Sequence, residues 1–497
     1  MGKYNFKTFF IAEIKIFVFK LYDSGEKMKT ALFIPYLPDE NTTPSLGPLY
    51  ILSVLEKNGI DGFLFDERID NKALDKLIAY NPDLVGVSSV TPAYLRSLKA
   101  VKKIKEILPN VKIAFGGAHP SILPESVISE QLVDYVFIGE SEFSFLELCK
   151  KIQENNISRE SLSQVKNLFF KTGSGCGIVQ TPKQPFLENK DLDGLPFPAF
   201  HRMNIDLYFS NSQTHGLFKR GKRILPIMTS RGCPSTCTFC CRVMGRKIRS
   251  RSVENVMAEV DYLIKNYKID EIYFEDDNFT VLRERALEIL DRMAAIKPAV
   301  YLKFANGIRA DLVDRKILEA MKKANVYALS FGIESGSPKT LLKMKKGLNL
   351  EKAKENILLA KSMGFLVGSN CIIGYPEETI EDIKESIDFF MKLPLDSMAI
   401  VNLVPFPGTE ARSSCESKGY LTEKAKNFDN YYFSINNPIP LIKTPMLSEN
   451  ELVSIIHKTY NRMYLRPAWI IRSIKHLSLS QIIKGIKTLM LKKEKYK

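Results

Sequence analysis

The chain has 497 residues, 45% hydrophobic and 26% charged, which gives room for about three domains at ~150 residues each and is ordinary globular composition, excluding a disordered, collagen-like or low-complexity chain. No apolar run approaches the ~20 residues of a membrane span; the nearest, Phe9 to Tyr22, is broken by Glu13, Lys15 and Lys20. The net charge is +15, but eleven Lys and Arg against one acid between Lys458 and Lys497 account for +10 of it, so the body is only mildly basic.

Residues 1–27 carry scattered charges and no small-residue cleavage site, so they read as an N-terminal extension ahead of Met28 rather than a signal. From Lys29 onward, apolar runs of strand length alternate with helix-period segments, the rhythm of βαβ units around a parallel sheet. Strands are predicted at Lys29–Tyr36, Gly62–Phe65, Leu84–Val87, Lys112–Phe115 and Tyr135–Ile138. Helices are predicted at Pro48–Asn58, Asn71–Ala79, Tyr94–Leu108 and Glu142–Asn155. Residues 28–160 thus form a doubly wound, Rossmann-like domain. Residues 161–220 hold a hairpin around Thr172-Gly173-Ser174-Gly175 and then a Pro-rich stretch, Pro182 to Pro198, that reads as an extended linker.

A second βα series fills 221–420. Its strands are Leu225–Thr229, Glu271–Phe274, Tyr301–Ala305, Tyr327–Phe331, Leu366–Ile373 and Ser397–Val404, and its helices include Val253–Asn266, Ala286–Ala295 and Leu350–Met363. Six repeats are too few for a full eight-fold barrel of ~250 residues, so a partial (β/α)6 TIM-type barrel is expected. A mostly helical basic region, 421–497, follows. Within it, apolar residues between Trp469 and Leu491 recur every three or four positions with Arg472, Lys475, Lys484 and Lys487 between them. That pattern fits a helix lying on an anionic membrane surface, or one packed on the barrel with a solvated basic face.

Four of the eight cysteines fall within nine residues, which fits a metal site in a reducing, cytoplasmic compartment and not a secreted disulfide framework. Cys233, Cys237 and Cys240 form a Cys-x3-Cys-x2-Cys set directly after the first barrel strand. Thiolates suit iron–sulfur clusters, and three ligands on a four-iron cluster leave one iron open for chemistry. Structural zinc is the alternative, but it needs a fourth ligand, and Cys241 is too close to Cys240 to supply it comfortably. Cys241, Cys149, Cys176, Cys371 and Cys415 read as ordinary residues.

With the aromatic Phe239 in place, this loop resembles the Cys-x3-Cys-x-aromatic-Cys signature of the radical S-adenosylmethionine (SAM) superfamily. The resemblance implies that Cys233, Cys237 and Cys240 hold a 4Fe-4S cluster whose open iron chelates SAM. Later strand ends are similar in order: Glu275-Asp276-Asp277-Asn278-Phe279, Asn306 to Asp311, Gly332-Ile333-Glu334-Ser335-Gly336, Ile373-Gly374-Tyr375-Pro376 and Pro405 to Thr409. From these the resemblance implies Phe239, Asp276, Asp277, Arg309, Glu334 and Ser335 as SAM-binding residues. The plainer reading of Arg309 and Glu334 is a salt bridge, and of Asp276 and Asp277 a solvated loop.

The first domain resembles the cobalamin-binding domain fused to many such enzymes. The similarity rests on Leu46-Gly47-Pro48-Leu49-Tyr50, Gly86 to Pro92, Gly116-Gly117-Ala118-His119-Pro120 and Gly139-Glu140-Ser141-Glu142. It implies cobalamin contacts at Leu46, Gly47, Ser88, Ser89, Thr91, Gly116, Gly117, His119, Gly139 and Glu140. The Asp-x-His-x-x-Gly motif that supplies an axial histidine is absent. His119 is therefore read as a loop histidine bonded to backbone, and cobalt is expected without a protein imidazole.

The resemblance, covering Lys29 to Tyr420, implies a cobalamin-dependent radical SAM enzyme that methylates an unactivated carbon of a small molecule, with a lipid-like or other apolar substrate as one class. Cobalamin-assisted oxidation or ring closure, as in the anaerobic cyclase of chlorophyll synthesis, is the alternative. A non-enzymatic basic membrane or nucleic-acid module explains only the tail. The implied partners are an electron donor such as a flavodoxin or ferredoxin and a peripheral contact with the inner face of the membrane, with no nucleic acid. No residue is assigned acid, base or nucleophile duty.

Overall fold

The structure, a computed structural model, describes residues 28–37, 42–172, 177–211, 218–433, 437–467 and 469–470. The N-terminal extension, Pro38-Asp39-Glu40, the tip of the predicted hairpin with Cys176, and the amphipathic stretch beyond Ile470 lie outside these residues. The chain divides into two compact units, residues 42–44 and 188–193 going with the second.

The first unit is a seven-stranded sheet in the order β2-β1-β3-β4-β5-β6-β7. Its strands are β1 Lys29–Ile34, β2 Asp61–Asp66, β3 Leu84–Ser88, β4 Lys112–Gly116, β5 Tyr135–Phe137, β6 Leu168–Lys171 and β7 Ile178–Gln180. β1 to β5 are parallel, and the hairpin β6–β7 extends the same sheet antiparallel. Strand order reverses between β1 and β3, the switch point at which doubly wound sheets bind ligands. Ala31, Phe33, Val85, Ile113 and Val136 are fully buried, as expected for a sheet covered on both faces.

The extended-linker reading is corrected. The segment after Pro182 folds into helices Asn189–Gly194 and Ile205–Asn211 with a 3₁₀ turn at Phe200–Arg202 between them. These turns are too short to show a period, and in the first unit side chains hold the 3₁₀ turn and the helix after it. Arg202 bonds Glu56 at 2.6 Å and Asp61 at 2.8 Å, and buried Tyr208 donates its hydroxyl to Asp66, which also pairs with Arg68 at 2.6 Å.

The second unit is an open sheet of six parallel strands, β15-β14-β13-β12-β11-β8, whose ends β8 and β15 do not pair, so the barrel is partial. The strands are β8 Ile224–Ile227, β11 Glu271–Phe274, β12 Tyr301–Ile308, β13 Val326–Glu334, β14 Leu366–Ile373 and β15 Ser397–Asn402. β12 and β13 run three residues further than the sequence reading placed them, which puts Asn306, Gly307 and Glu334 within strands. A two-stranded ribbon, β9 Ser230–Arg231 with β10 Arg249–Ser250, stands just past β8.

An open sheet leaves an edge to protect. Beyond Tyr420 the chain is less helical than expected: a Leu421–Ile442 bridge and two 3₁₀ turns precede the helix Glu449–Tyr464, which Ser448 and Glu451 close with a capping box. That helix covers β15. The Tyr460 hydroxyl accepts from Ile400 N–H and the Tyr464 hydroxyl from Met398 N–H, each at 2.9 Å.

The inner face of the barrel is unusual. Register aligns Ser330 with Gly368 and Ser397, and Gly332 with Asn370 and Ala399. Of these rows Gly368 alone is buried, while the alternating neighbours Leu329, Phe331, Val367 and Ile400 are buried. Closed barrels fill such positions with bulky branched side chains; here small and polar ones leave an open lumen. Its base row, Tyr273-Lys303-Ala328-Leu366, is buried.

Candidate functional site

The three cysteines lie in a loop, 232–248, closed at its neck by the β9–β10 ribbon. The neck needs glycine at 232: its φ is +89°, and a Cβ would come within 2.4 Å of the Lys247 carbonyl. Inside the loop, Cys233 N–H donates to Gly245 O at 3.2 Å and Thr238 N–H to Met344 O at 3.0 Å. Arg249, buried, donates to Met244 O at 2.8 Å. These bonds fix the backbone from which the thiols project.

Two adjacent acids hold the neck. Asp276 is 3% exposed and accepts from Thr229 N–H at 3.1 Å, the Thr229 hydroxyl at 2.7 Å and the Ser230 hydroxyl at 2.5 Å. It is neither a solvated loop acid nor turned toward the lumen, since its oxygens are already engaged by the strand that launches the cysteine loop. Asp277, on the solvent side, accepts from Gly232 N–H at 2.8 Å; crowding by protein raises its pKa, helped by Asp276.

The residue that does face the lumen is Glu275, which strand alternation places on the same side as Tyr273. Tyr273 donates to Asn306 Oδ1 at 2.5 Å, and Asn306 Nδ2 donates to a Glu275 oxygen at 2.7 Å. Sequence reasoning passed over Glu275. The usable signal was its place one residue past β11, in phase with Tyr273.

Arg309 and Glu334 are each in an ion pair, with different partners. Arg309 pairs with Asp311 at 2.8 Å and donates to the carbonyls of Lys346 at 2.8 Å and Gly347 at 2.6 Å, so it pins a loop. Glu334 ends β13 with a φ of +73°, a left-handed conformation costing a non-glycine residue ~1–3 kcal/mol, and pairs with Lys346 at 3.1 Å. A Cβ at Gly332 would lie 2.9 Å from the Glu334 carboxylate, so glycine there makes room for the pair. Lys346, also missed, sits 5.9 Å from the Phe239 ring centroid. Burial opposes its charge, but Glu334 and then Cys237 outweigh that and raise its pKa. Ser335 is fully buried and shares its hydroxyl with Ser386 at 2.7 Å, away from the other residues.

In the first unit, the carboxyl ends of the strands carry two tiers. Gly47, Gly117 and Gly139 are exposed and Ser88 and Gly116 partly so, with open space where a Cβ would stand on Gly47 and Gly116. Beneath them Leu46, Ser89, Thr91 and His119 are buried. The Ser89 hydroxyl meets Ser97 at 3.0 Å, and Glu140 accepts from Leu187 N–H at 2.8 Å. The loop placement of His119 is corrected: it lies in the short helix Ala118–Ile122, where its Nδ1 meets the Thr91 hydroxyl at 3.2 Å. The ring stacks on Tyr94 at 4.1 Å, and burial pushes its pKa down to about 4. It is a packed, neutral core histidine.

Residues 227–390 match the Radical SAM superfamily and residues 39–148 match the B12 binding domain. The chain belongs to the B12-binding radical SAM enzymes. This radical SAM enzyme is 29% identical over 441 residues to an uncharacterized methyltransferase of Pyrococcus horikoshii, covering 87% of this chain and 90% of that one. It is 28% identical over 471 residues to the cytidylyl-2-hydroxyethylphosphonate methyltransferase of Streptomyces wedmorensis, covering 84% and 86%. It shares its fold with the radical SAM methyltransferase TsrM of Kitasatospora setae, in a structure holding cobalamin and a 4Fe-4S cluster. The TM-score is 0.66 at 18% identity, over 89% of this chain and 90% of that one.

The cofactors that accompany these two domains are a 4Fe-4S cluster, SAM and cobalamin, and the residues present fit them. Cys240, exposed at its surface but crowded by protein behind it, is pushed up to about 12 by that crowding and then by Cys237, Cys241, Asp277 and Cys233. Cys237 is raised by burial and lowered by Lys346. Such a crowd of thiols calls for a cationic group that deprotonates them. A zinc ion needs four donors gathered ~2.3 Å from one point, whereas a four-iron cluster takes three thiolates on separate irons. Of the other cysteines, Cys149, Cys371 and Cys415 are buried, and Cys241 lies 3.9 Å from Pro407 O. In the radical SAM enzyme's first unit, the side-chain-free glycine tier at the switch point suits a broad flat ring, and His119 lies beneath it.

Proposed function

We propose that this enzyme methylates a carbon of a small molecule, using SAM, cobalamin and a 4Fe-4S cluster. The observation that carries this reading is a three-cysteine loop at the carboxyl end of the first barrel strand, joined in one chain to a B12-binding domain whose histidine is buried and neutral. Bound there, the cluster with SAM supplies a 5′-deoxyadenosyl radical, and cobalamin supplies a methyl group.

The chain's own part is to bind, orient and shield. Cys233, Cys237 and Cys240 hold the cluster, with the Lys346 ammonium facing Cys237. Glu275, fixed through Asn306 and Tyr273, is the carboxylate placed to accept from the SAM ammonium. Asp276 and Asp277 act through the loop neck, and Arg309 through the Lys346–Gly347 turn; these three are positioning residues. Phe239 and the Glu334–Lys346 pair border the SAM subsite. Gly47, Ser88, Gly116, Gly117 and Gly139 receive cobalamin, backed by Leu46, Ser89, Thr91 and Glu140.

The lumen rows carrying Ser330, Asn370 and Ser397 favour a substrate with hydrogen-bonding groups over a pure hydrocarbon. The reducing electron comes from a flavodoxin- or ferredoxin-type donor. No described helix is long and apolar enough to cross a membrane. A membrane contact through the basic tail is testable by co-sedimentation with anionic liposomes: binding at low salt that a chain truncated after Pro467 lacks supports it, and equal behaviour of the two removes it.

The deciding experiment uses anaerobic protein with reconstituted cluster and cobalamin, a chemical reductant, methyl-labelled SAM and a candidate metabolite pool. The expected result is 5′-deoxyadenosine together with a product heavier by one labelled methylene. A product lighter by two hydrogens would instead establish the oxidation or ring-closure reading. Absence of SAM cleavage would overturn both.

A further inference from the structure

The ends of β14 and β15 carry motifs, Ile373-Gly374-Tyr375-Pro376 and Pro405 to Thr409, that have no part in the binding just described. Both lead to Thr238, the residue that directly follows Cys237. Thr238 is 4% exposed, although Thr236 and Cys240 on either side of it are exposed.

Four hydrogen bonds from three separate segments hold this one residue. Its N–H and its hydroxyl both donate to Met344 O, at 3.0 and 3.2 Å. Its carbonyl accepts from Ala411 N–H at 3.0 Å. A threonine hydroxyl has a single proton; with that proton on Met344 O, the oxygen is left to accept, and the Tyr375 hydroxyl meets it at 2.5 Å. The other acceptor near that phenol, Lys343 O, is farther away at 3.4 Å.

The groups that reach Thr238 are themselves fixed. Buried Glu378 accepts from Gly374 N–H at 2.7 Å, Tyr375 N–H at 3.1 Å and the Thr340 hydroxyl at 3.2 Å. It thereby ties the turn after β14 to the helix Pro338–Lys343, which ends at Met344. Thr409 caps the helix Glu410–Ser417 through Arg412 N–H at 3.1 Å. Another of that helix's first-turn amides, Ala411 N–H, has no partner within the helix and is spent on the cysteine loop. The Tyr375 ring lies in a buried cluster with Met344, Leu403, Ala411 and Ile442, and Phe239 packs against the same cluster.

Partners one step removed from a metal fix the orientation of its ligands, and a site is as precise as the bonds that support it. We propose that Tyr375 and Thr238 form a buried latch that preorganises Cys237 for its cluster, and that Tyr375, acting through Thr238, is a positioning residue. The proposal rests on the cluster reading above.

The test follows iron release to a chelator from the full chain with reconstituted cluster, in wild type, Tyr375→Phe, Thr238→Val and Thr238→Ser. Ile442→Ala serves as a control from the same buried cluster. Tyr375→Phe keeps the ring and Thr238→Val keeps the shape, so each removes little besides a hydroxyl. Both should release iron at least tenfold faster than wild type and alter the paramagnetic spectrum of the reduced cluster. Thr238→Ser keeps the oxygen and should stay within twofold. Ile442→Ala should lower the melting temperature of the iron-free chain at least as much as Tyr375→Phe does, yet release iron within twofold of wild type. A wild-type rate in Tyr375→Phe or in Thr238→Val overturns the proposal, and so does equally fast release from Ile442→Ala. Failure of Tyr375→Phe to load iron, with a melting temperature near wild type, is the expected result in stronger form. Wild type that takes up no iron overturns the cluster reading instead, and shows this before any variant is compared.

Discussion

Replacing Asp276 by Ala distinguishes a strut from a cofactor contact. The carboxylate accepts three bonds from Thr229 and Ser230, the residues that lead into the cysteine loop. Its loss orphans the buried Thr229 amide, costing ~2 kcal/mol, and deprives two hydroxyls of an acceptor at ~1 kcal/mol each. The Thr229 hydroxyl keeps a bond from Arg285 at 3.1 Å, so the total stays near ~4 kcal/mol rather than rising further. For a unit of this size that lowers the melting temperature by roughly 10 °C. Asp277→Ala, which frees only the Gly232 amide on the solvent side, should cost ~1 kcal/mol or less. Calorimetry of the cluster-free chain reads both, and iron content after reconstitution reports whether the loop neck has slipped. If Asp276→Ala melts like wild type yet weakens SAM binding, the strut argument is wrong and Asp276 is a ligand.

Three further outcomes follow from particular groups. Burial pushes Glu378 from 4.5 up to about 7, although the amides of Tyr375 and Gly374 and the Thr340 hydroxyl lower it. The unfolded chain therefore loses this proton first. Its contribution to stability, worth ~3 kcal/mol, is present below pH ~4.5 and is lost as pH rises through ~7. Urea titrations at several pH values should show that slope, and Glu378→Gln, whose carbonyl oxygen can still accept from the Gly374 and Tyr375 amides, should abolish it. His119→Ala should leave the absorption and paramagnetic spectra of bound cobalamin unchanged while destabilising the first unit by ~2 kcal/mol or more through the lost Tyr94 stack and cavity; a changed cobalt spectrum would make it a ligand. Cys237→Ala should abolish cluster assembly and SAM cleavage, whereas Cys241→Ala should retain most of both. Full iron content in Cys237→Ala would remove the cluster assignment.

Much of this protein is written in local periodicity. Alternation of strand-length apolar runs with helix-period segments is a property of consecutive residues, so the two βα series, the start of the cysteine loop at the end of a strand, and the helices between strands could be read without coordinates. That the first series is doubly wound and that six repeats fall short of a closed barrel could be read from the same rhythm and the repeat count; the order of strands in each sheet came from the structure.

What tertiary structure alone decided is where each polar side chain spends its hydrogen bonds. Glu275, Asp276 and Asp277 are three consecutive acids with the same local chemistry; only the end of β11 sends the first to the lumen, the second under the loop neck and the third toward solvent. Arg309 and Glu334 are 25 residues apart, and only the packed fold assigns them Asp311 and Lys346. The helix Ile205–Asn211 and the 3₁₀ turn before it carry too few turns to leave a pattern and exist because Glu56, Asp61 and Asp66, far away in sequence, hold Arg202 and Tyr208. His119 lies in a glycine-rich stretch that reads as exposed, yet Thr91 and Tyr94 draw it into the core. Period is a one-dimensional signal, whereas a hydrogen-bond partner is chosen by a neighbour that the chain brings close only by folding.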